Sequence, residues 1–212
     1  IGTVNVDETT YMFSPKVLDR ANTIEFETYS AKRYMHGENN EREITGNLNY
    51  LEDPLSDSDI AHWSINKLRA EMKTIKTSQN DLVWDKLAEE INNFQNVLSE
   101  ADFDFGFRVI NEILRFMYVS WKYETRQNPW ANWERYFDAQ IKQKILPKIH
   151  GSQRSLGDLF RQLMNLCIKD KTDKEPRNIQ NLGYIAKYKT SAEKIREMDK
   201  TLHEQRYVSF TR

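Results

Sequence analysis

A single cysteine, Cys167, stands in 212 residues, so the chain holds no internal disulfide and no cysteine-based zinc or CxxC redox site. Glycine (7) and proline (5) are scarce, which excludes collagen-like and low-complexity readings. No apolar run approaches the roughly 18 to 20 residues of a membrane span, so no membrane partner is expected. The sequence has no GxxxxGK[ST] phosphate loop, no GxGxxG fingerprint and no GxSxG nucleophile elbow. Its 4 histidines (His36, His62, His150 and His203) are scattered without HExxH spacing, and no metal site is expected. Carboxylates are abundant, yet no spacing fixes two of them as acid and base. Self-contained catalysis is therefore not expected of this chain.

What is present points to a folded, helix-rich protein. Aromatic residues reach 12% although hydrophobic residues total only 39%, which argues against disorder. The chain starts with Ile1 in a strand-like run and shows no signal-peptide pattern. With the lone cysteine, this suggests a cytoplasmic protein and a piece that begins inside a domain. Net charge is −1, but residues 1–107 carry 10 Lys/Arg against 20 Asp/Glu, and residues 108–212 carry 21 against 12. Such asymmetry suits a nucleic-acid surface or an assembly of opposite faces. It equally suits two halves that pack and neutralise each other within one chain.

Residues Ile1–Val6 read as a strand, and Ser14-Pro15 as the N-cap and first position of a short helix reaching Ala21. Thr23–Tyr29 reads as a second strand. Residues 32–57 are polar and rich in Asn and Glu, a loop or insertion. Helical periodicity then dominates. Ala61, Ile65, Leu68, Met72 and Ile75 form one stripe. Trp84, Leu87, Ala88, Ile91, Phe94 and Leu98 form a second, with Asp81 as its expected cap. Phe107 to Lys122 forms a third. Asn128-Pro129 is expected to open a fourth, with Trp130, Trp133, Phe137, Ile141 and Ile145 on one face, and His150-Gly151 to cap a helix end. Ser155 is expected to open a fifth. A charged stretch, KDKTDKEPRN (169–178), precedes a last helix over Ala186–Gln205 and a terminal strand over Tyr207–Phe210. The fold class is mainly α, with a small strand–helix–strand unit at the start.

Three segments together carry a family resemblance. IGTVNVDETTYMFSPKVLDRANTIEF (1–26) resembles the second half of an AAA+ nucleotidase core of the McrB-like branch, the motor subunits of modification-dependent restriction systems. FDFGFRVINEILRFM (103–117) looks like the sensor-2 region of the helical lid, and QKILPKIHGS (143–152) is similar to a stretch near the end of such motors. The resemblance is weak over 32–80 and 169–205. It implies that residues 1–31 are the C-terminal part of the AAA+ core, 58–168 the lid, and 169–212 a linker with a closing helix and strand. It implies roles for Asn5 as sensor 1, for Arg20 as an arginine finger acting in trans, and for Arg108 as a sensor-2 residue on phosphate. Such a motor uses a nucleoside triphosphate, ATP or GTP, with Mg²⁺, works as a homo-oligomeric ring, and is coupled to a nuclease subunit that cuts DNA. The phosphate loop and the acidic Mg²⁺-holding strand are absent here, so the chain alone is not expected to hold nucleotide tightly.

The chemistry fits those positions. An asparagine at a strand end donates and accepts without charge, which suits orienting a water. An arginine from a neighbour neutralises charge on a transferred phosphoryl group, worth roughly 10³–10⁵ in rate elsewhere. The plainer roles are a turn cap for Asn5, a pair with Asp19 or Glu25 for Arg20, and a pair with Glu112 for Arg108. Two other functions compete. A helical nucleic-acid-binding module would use Lys122, Tyr123, Arg126, Trp130, Trp133 and Arg135 on phosphates and bases, although Trp130 and Trp133 share a stripe with Phe137. An assembly module would join the acidic half of one chain to the basic half of the next.

Overall fold

Apolar residues at helical spacing build the body of the molecule, and the turns between them decide where its charged groups point. The structure is a computed structural model that describes residue 2, residues 14–25, 64–169 and 186–210. The expected strand Ile1–Val6 with Asn5, most of the expected strand Thr23–Tyr29, the polar stretch 32–57 and residues 170–178 lie outside the described residues. The described elements are α1 (Pro15–Leu18), α2 (Ile65–Met72), α3 (Val83–Ser99), α4 (Phe107–Ser120), α5 (Trp133–Gln140), β1 (His150–Ser152), α6 (Gln153–Cys167), α7 (Lys189–Gln205) and β2 (Tyr207–Ser209). The protein is mainly helical, as the periodicity implies. Of the strand–helix–strand unit only the helix is described, and Thr23 to Glu25 form no strand.

The stripes of α3, α4, α5, α6 and α7 meet in one core. At its centre Phe94, Phe137 and Tyr188 touch in edge-on and tilted pairs with centroids 5.4–6.2 Å apart. Trp130 and Trp133 are buried there too. Ala88 and Ile65, expected on the stripes, are exposed instead.

Several helix ends differ from expectation because tertiary contacts replace local caps. Asp81 does not cap α3. The cap position is Leu82, without a side-chain bond. Asp81 belongs to the tight reversal before it, where its carbonyl accepts from the Thr77 N–H at 2.8 Å and Asn80 takes a left-handed backbone at φ 69°. Pro129 does not start a helix either. The Asn128 side chain accepts from the Lys76 N–H at 2.9 Å and donates to the Thr74 carbonyl at 2.8 Å, clamping this reversal, and α5 begins only at Trp133. His150 and Gly151 are not a helix cap. They lie in β1, antiparallel to β2, with His150 opposite Ser209 and Gly151 opposite Val208. The terminal strand over Tyr207–Ser209 is present as expected, and α6 starts at Gln153, ahead of Ser155.

Two helices end in wider turns. A π-helical turn over Trp121–Thr125 follows α4, and a second over Ile141–Ile145 follows α5, passing into a 3-10 turn over Leu146–Lys148. Each closes with a bond across five residues, from the Arg126 N–H to the Trp121 carbonyl and from the Leu146 N–H to the Ile141 carbonyl. Ile141, Ile145 and Leu146 are buried, and so is Lys144.

The start of α7 depends on a residue from α5. Asp138, itself buried, accepts from the Thr190 N–H at 2.8 Å and the Ser191 N–H at 2.9 Å, and the Ser191 hydroxyl donates to the same carboxylate at 2.5 Å. These are donors that a helix leaves unpaired at its first turn. Nearby, burial first, and then the Glu90 carboxylate, push the Tyr188 phenol well above its ordinary pKa, and burial likewise pushes the Cys167 thiol well up. Both stay neutral at physiological pH, and the buried thiol is a packing group. We expect Asp138→Ala to lower the unfolding free energy by about 2–3 kcal/mol, since it strips charge-assisted bonds from buried donors. Asp138→Asn, which keeps one acceptor, is expected to lose less. Urea denaturation checks both, and an unchanged midpoint for the alanine variant would refute this role.

Candidate functional site

The segment 14–25 lies on the helical body as a short arm. Its helix α1 is only one turn long, and Val17 and Leu18 both donate to the Ser14 carbonyl. So short a helix does not persist alone in water. What holds it are three lysines of the body. Lys144 follows α5, and its side chain is 0% exposed. Its ammonium donates to the Asp19 carbonyl at 3.3 Å and the Ala21 carbonyl at 3.0 Å, and pairs with the Glu112 carboxylate of α4. An ammonium has three protons, and here each has an acceptor. Lys148, one turn on, pairs with the Asp19 carboxylate. Lys194 of α7, 1% exposed, meets the Glu25 carboxylate at 2.5 Å and lies 4.7 Å from the centre of the Phe210 ring. The Thr23 N–H also donates to the Gln143 carbonyl at 3.0 Å.

A buried ammonium is costly unless it is paired and fully hydrogen-bonded. Lys144 therefore requires the arm as much as the arm requires Lys144. Partial burial lowers the pKa of Lys148, and the adjacent Asp19 carboxylate opposes that by favouring its charged form.

Arg20 sits on this arm and is exposed. Its expected partners are engaged elsewhere, Asp19 with Lys148 and Glu25 with Lys194. Its backbone N–H donates to the Val17 carbonyl at 3.0 Å. Lys16, Val17, Arg20 and Ala21 line a solvent-open depression of about 560 Å³. Arg108 is also exposed, in the first turn of α4 beside Phe107, which is 84% exposed. Its expected partner Glu112 turns to Lys144 instead. Arg108 and Glu112 are four residues apart, one turn along the helix. The lysine hub thus joins the two elements that carry Arg20 and Arg108. Asn5 lies outside the described residues.

The lysines themselves were not singled out as candidates in the sequence, though a signal exists. Lys144 falls beside Ile145 on the stripe of Phe137 and Ile141, and Lys194 beside Ile195 on that of Ala192 and Met198. A lysine in register with an apolar face either snorkels to water or meets an acceptor.

The charge asymmetry is met in part within the chain, since Asp19–Lys148, Glu25–Lys194 and Glu90–Lys187 each join the acidic and basic halves. Trp130 and Trp133 are core residues, so they offer no base-stacking platform.

Comparison with known protein families matches residues 63–207 to the domain of unknown function DUF8727. The chain belongs to this family. No curated protein and no solved structure matches it. The DUF8727 match takes in α2 to α7 with Arg108, Glu112 and all three lysines, and leaves the arm with Arg20 outside. The DUF8727 unit thus supplies the cations and the Glu112 carboxylate, and the preceding segment supplies the Asp19 and Ala21 carbonyls and the Asp19 and Glu25 carboxylates.

Lys144→Met is expected to release the arm. Hydrogen exchange should then speed up at the Thr23 and Ala21 amides by roughly 100-fold, while the α7 core amides change far less. Unchanged protection of Thr23 would show that Lys144 does not hold the arm.

Proposed function

We propose that this chain is the C-terminal part of an AAA+ nucleoside-triphosphatase motor subunit, similar to McrB-like restriction proteins. It works in a homo-oligomeric ring whose hydrolysis of ATP or GTP drives a nuclease subunit on DNA. The observation that carries the reading is the state of Arg20. It is an exposed arginine in the turn that follows the one-turn helix α1, and the carboxylates of Asp19 and Glu25 on the same arm are occupied by lysines. That leaves its guanidinium for an anion outside the arm. The sequence resemblance supplies the identity of that anion, a phosphoryl group bound by the adjacent subunit.

In this reading each residue has a distinct task. Arg20 reaches the neighbour's nucleotide and neutralises charge that grows on the phosphoryl group, its planar fork matching two phosphate oxygens. Arg108, exposed at the first turn of α4, binds phosphate of its own subunit's nucleotide. Asn5 orients the attacking water through its uncharged amide. Mg²⁺ does not fit the residues at hand. The described residues contain no group of three or more Asp, Glu, His or Cys able to hold a metal. Nucleotide phosphates would be cradled by a part of the subunit outside these 212 residues, since the sequence has no phosphate loop. Among the described residues no helix is long and apolar enough to cross a membrane.

The test is nucleotide hydrolysis by the full gene product that carries this chain. Arg20→Ala should lower kcat by about 10³-fold or more. Mixing it with subunits that cannot bind nucleotide but keep Arg20 should restore part of the activity, because finger and nucleotide come from different subunits. Absence of hydrolysis by the unmodified product, or an Arg20→Ala variant as fast as wild type, would overturn the reading.

A further inference from the structure

We infer that Lys144 is the positioning residue for Arg20 and links it to α4. This rests on the reading of Arg20 as an arginine finger. The argument itself comes from the hydrogen bonds around one ammonium. The two carbonyls that Lys144 holds belong to Asp19 and Ala21, the residues on either side of Arg20. The N–H groups of Arg20 and Ala21 are also held, both by the Val17 carbonyl at 3.0 Å. The peptide unit before Arg20 is thereby held at both its carbonyl and its N–H, and the unit after it at its N–H, which sets the direction in which the side chain leaves the backbone. The third proton of the ammonium goes to Glu112, one turn beyond Arg108 on α4.

One buried charge therefore registers the placement of α4 and of the backbone at Arg20 together. A shift of α4 that moves Glu112 changes the balance of the three bonds and is felt at the two carbonyls. Burial makes this stiff, because water cannot replace a lost acceptor. Lys148 and Lys194 differ in kind. They hold side-chain carboxylates of the arm and so fix its position, whereas Lys144 holds the main chain on either side of Arg20. Coupling of this sort is reciprocal, so whatever phosphate bound at Arg108 does to the engagement of Arg20 with a neighbour, that engagement does to phosphate binding by the same factor.

The experiment uses the full gene product and measures kcat and KM for nucleotide in four forms: wild type, Lys144→Met, Arg20→Ala and the double variant. Misplacing a catalytic group by about 1 Å costs roughly 100-fold in rate. Lys144→Met should therefore lower kcat by about 100-fold with KM little changed. In the Arg20→Ala background it should cause no further loss, because a residue that acts through Arg20 has nothing left to position. A merely structural lysine would lower both backgrounds by the same factor, and that result would overturn the inference while leaving the finger reading intact. A wild-type product without hydrolysis would overturn the finger reading and the inference with it. If Lys144→Met does not fold, Glu112→Gln takes its place. It keeps the ammonium and both carbonyl bonds but weakens the tie to α4, and should lower kcat by about 10-fold in the Arg20 background and not at all in Arg20→Ala.

Discussion

The ammonium of Lys144 is the constraint on which the rest of the described structure turns. A cation with no exposure to water needs an acceptor for every proton, and this one finds them on two separate parts of the chain. Among the described residues of the helical body, Glu112 alone accepts from it. The arm offers the main-chain carbonyls of Asp19 and Ala21, in the turn that follows its one-turn helix. Each side has a defect that the other corrects, so the arm docks in one register. Lys148 and Lys194 then extend the contact in both directions along it.

Delivering that ammonium takes most of the fold. Asp138 sets where α7 begins, and α7 carries Lys194. Trp130 and Trp133 anchor the entry to α5, and the π-helical turn at its far end brings Lys144 inward alongside Ile141 and Ile145. Glu112 is placed by α4, whose apolar face is locked by Val109, Ile113 and Met117. The family match covers this whole frame from residue 63 to residue 207, and the arm lies ahead of it. The frame is thus a unit that presents paired lysines to a preceding segment.

Much of this body is readable from sequence. The stripes of α3, α4, α5 and α6 follow from helical periodicity, because a face that must be apolar leaves a plain record. The terminal strand over Tyr207–Ser209 is readable for the same reason. Helix ends are less so. Asp81, Pro129 and Gly151 look like local punctuation, but here the bonds of Asn128 to Lys76 and Thr74, 52 and 54 residues away in the chain, and the β1–β2 pairing decide those ends. Long-range contacts leave no local trace. The site is the least legible part. Arg20 and Arg108 stand out by resemblance, whereas the partners of Asp19, Glu25 and Glu112 appear only once α5 and α7 are in place. Each short-range pairing the sequence suggests for these carboxylates gives way to a buried or partly buried lysine, because a buried charge gains more from an acceptor than an exposed one does.

The most direct measurement is of the Lys144 ammonium itself, by nitrogen-detected NMR of the lysine side chains in the intact chain. A three-coordinate, water-excluded ammonium should give a resolved signal whose protons exchange with water far more slowly than those of exposed lysines such as Lys200. That signal should broaden into the exposed set when Glu112 is replaced by alanine. A Lys144 signal that exchanges as fast as that of Lys200 in the unmodified protein would contradict the account, since it would place the charge in water and leave the arm without its anchor.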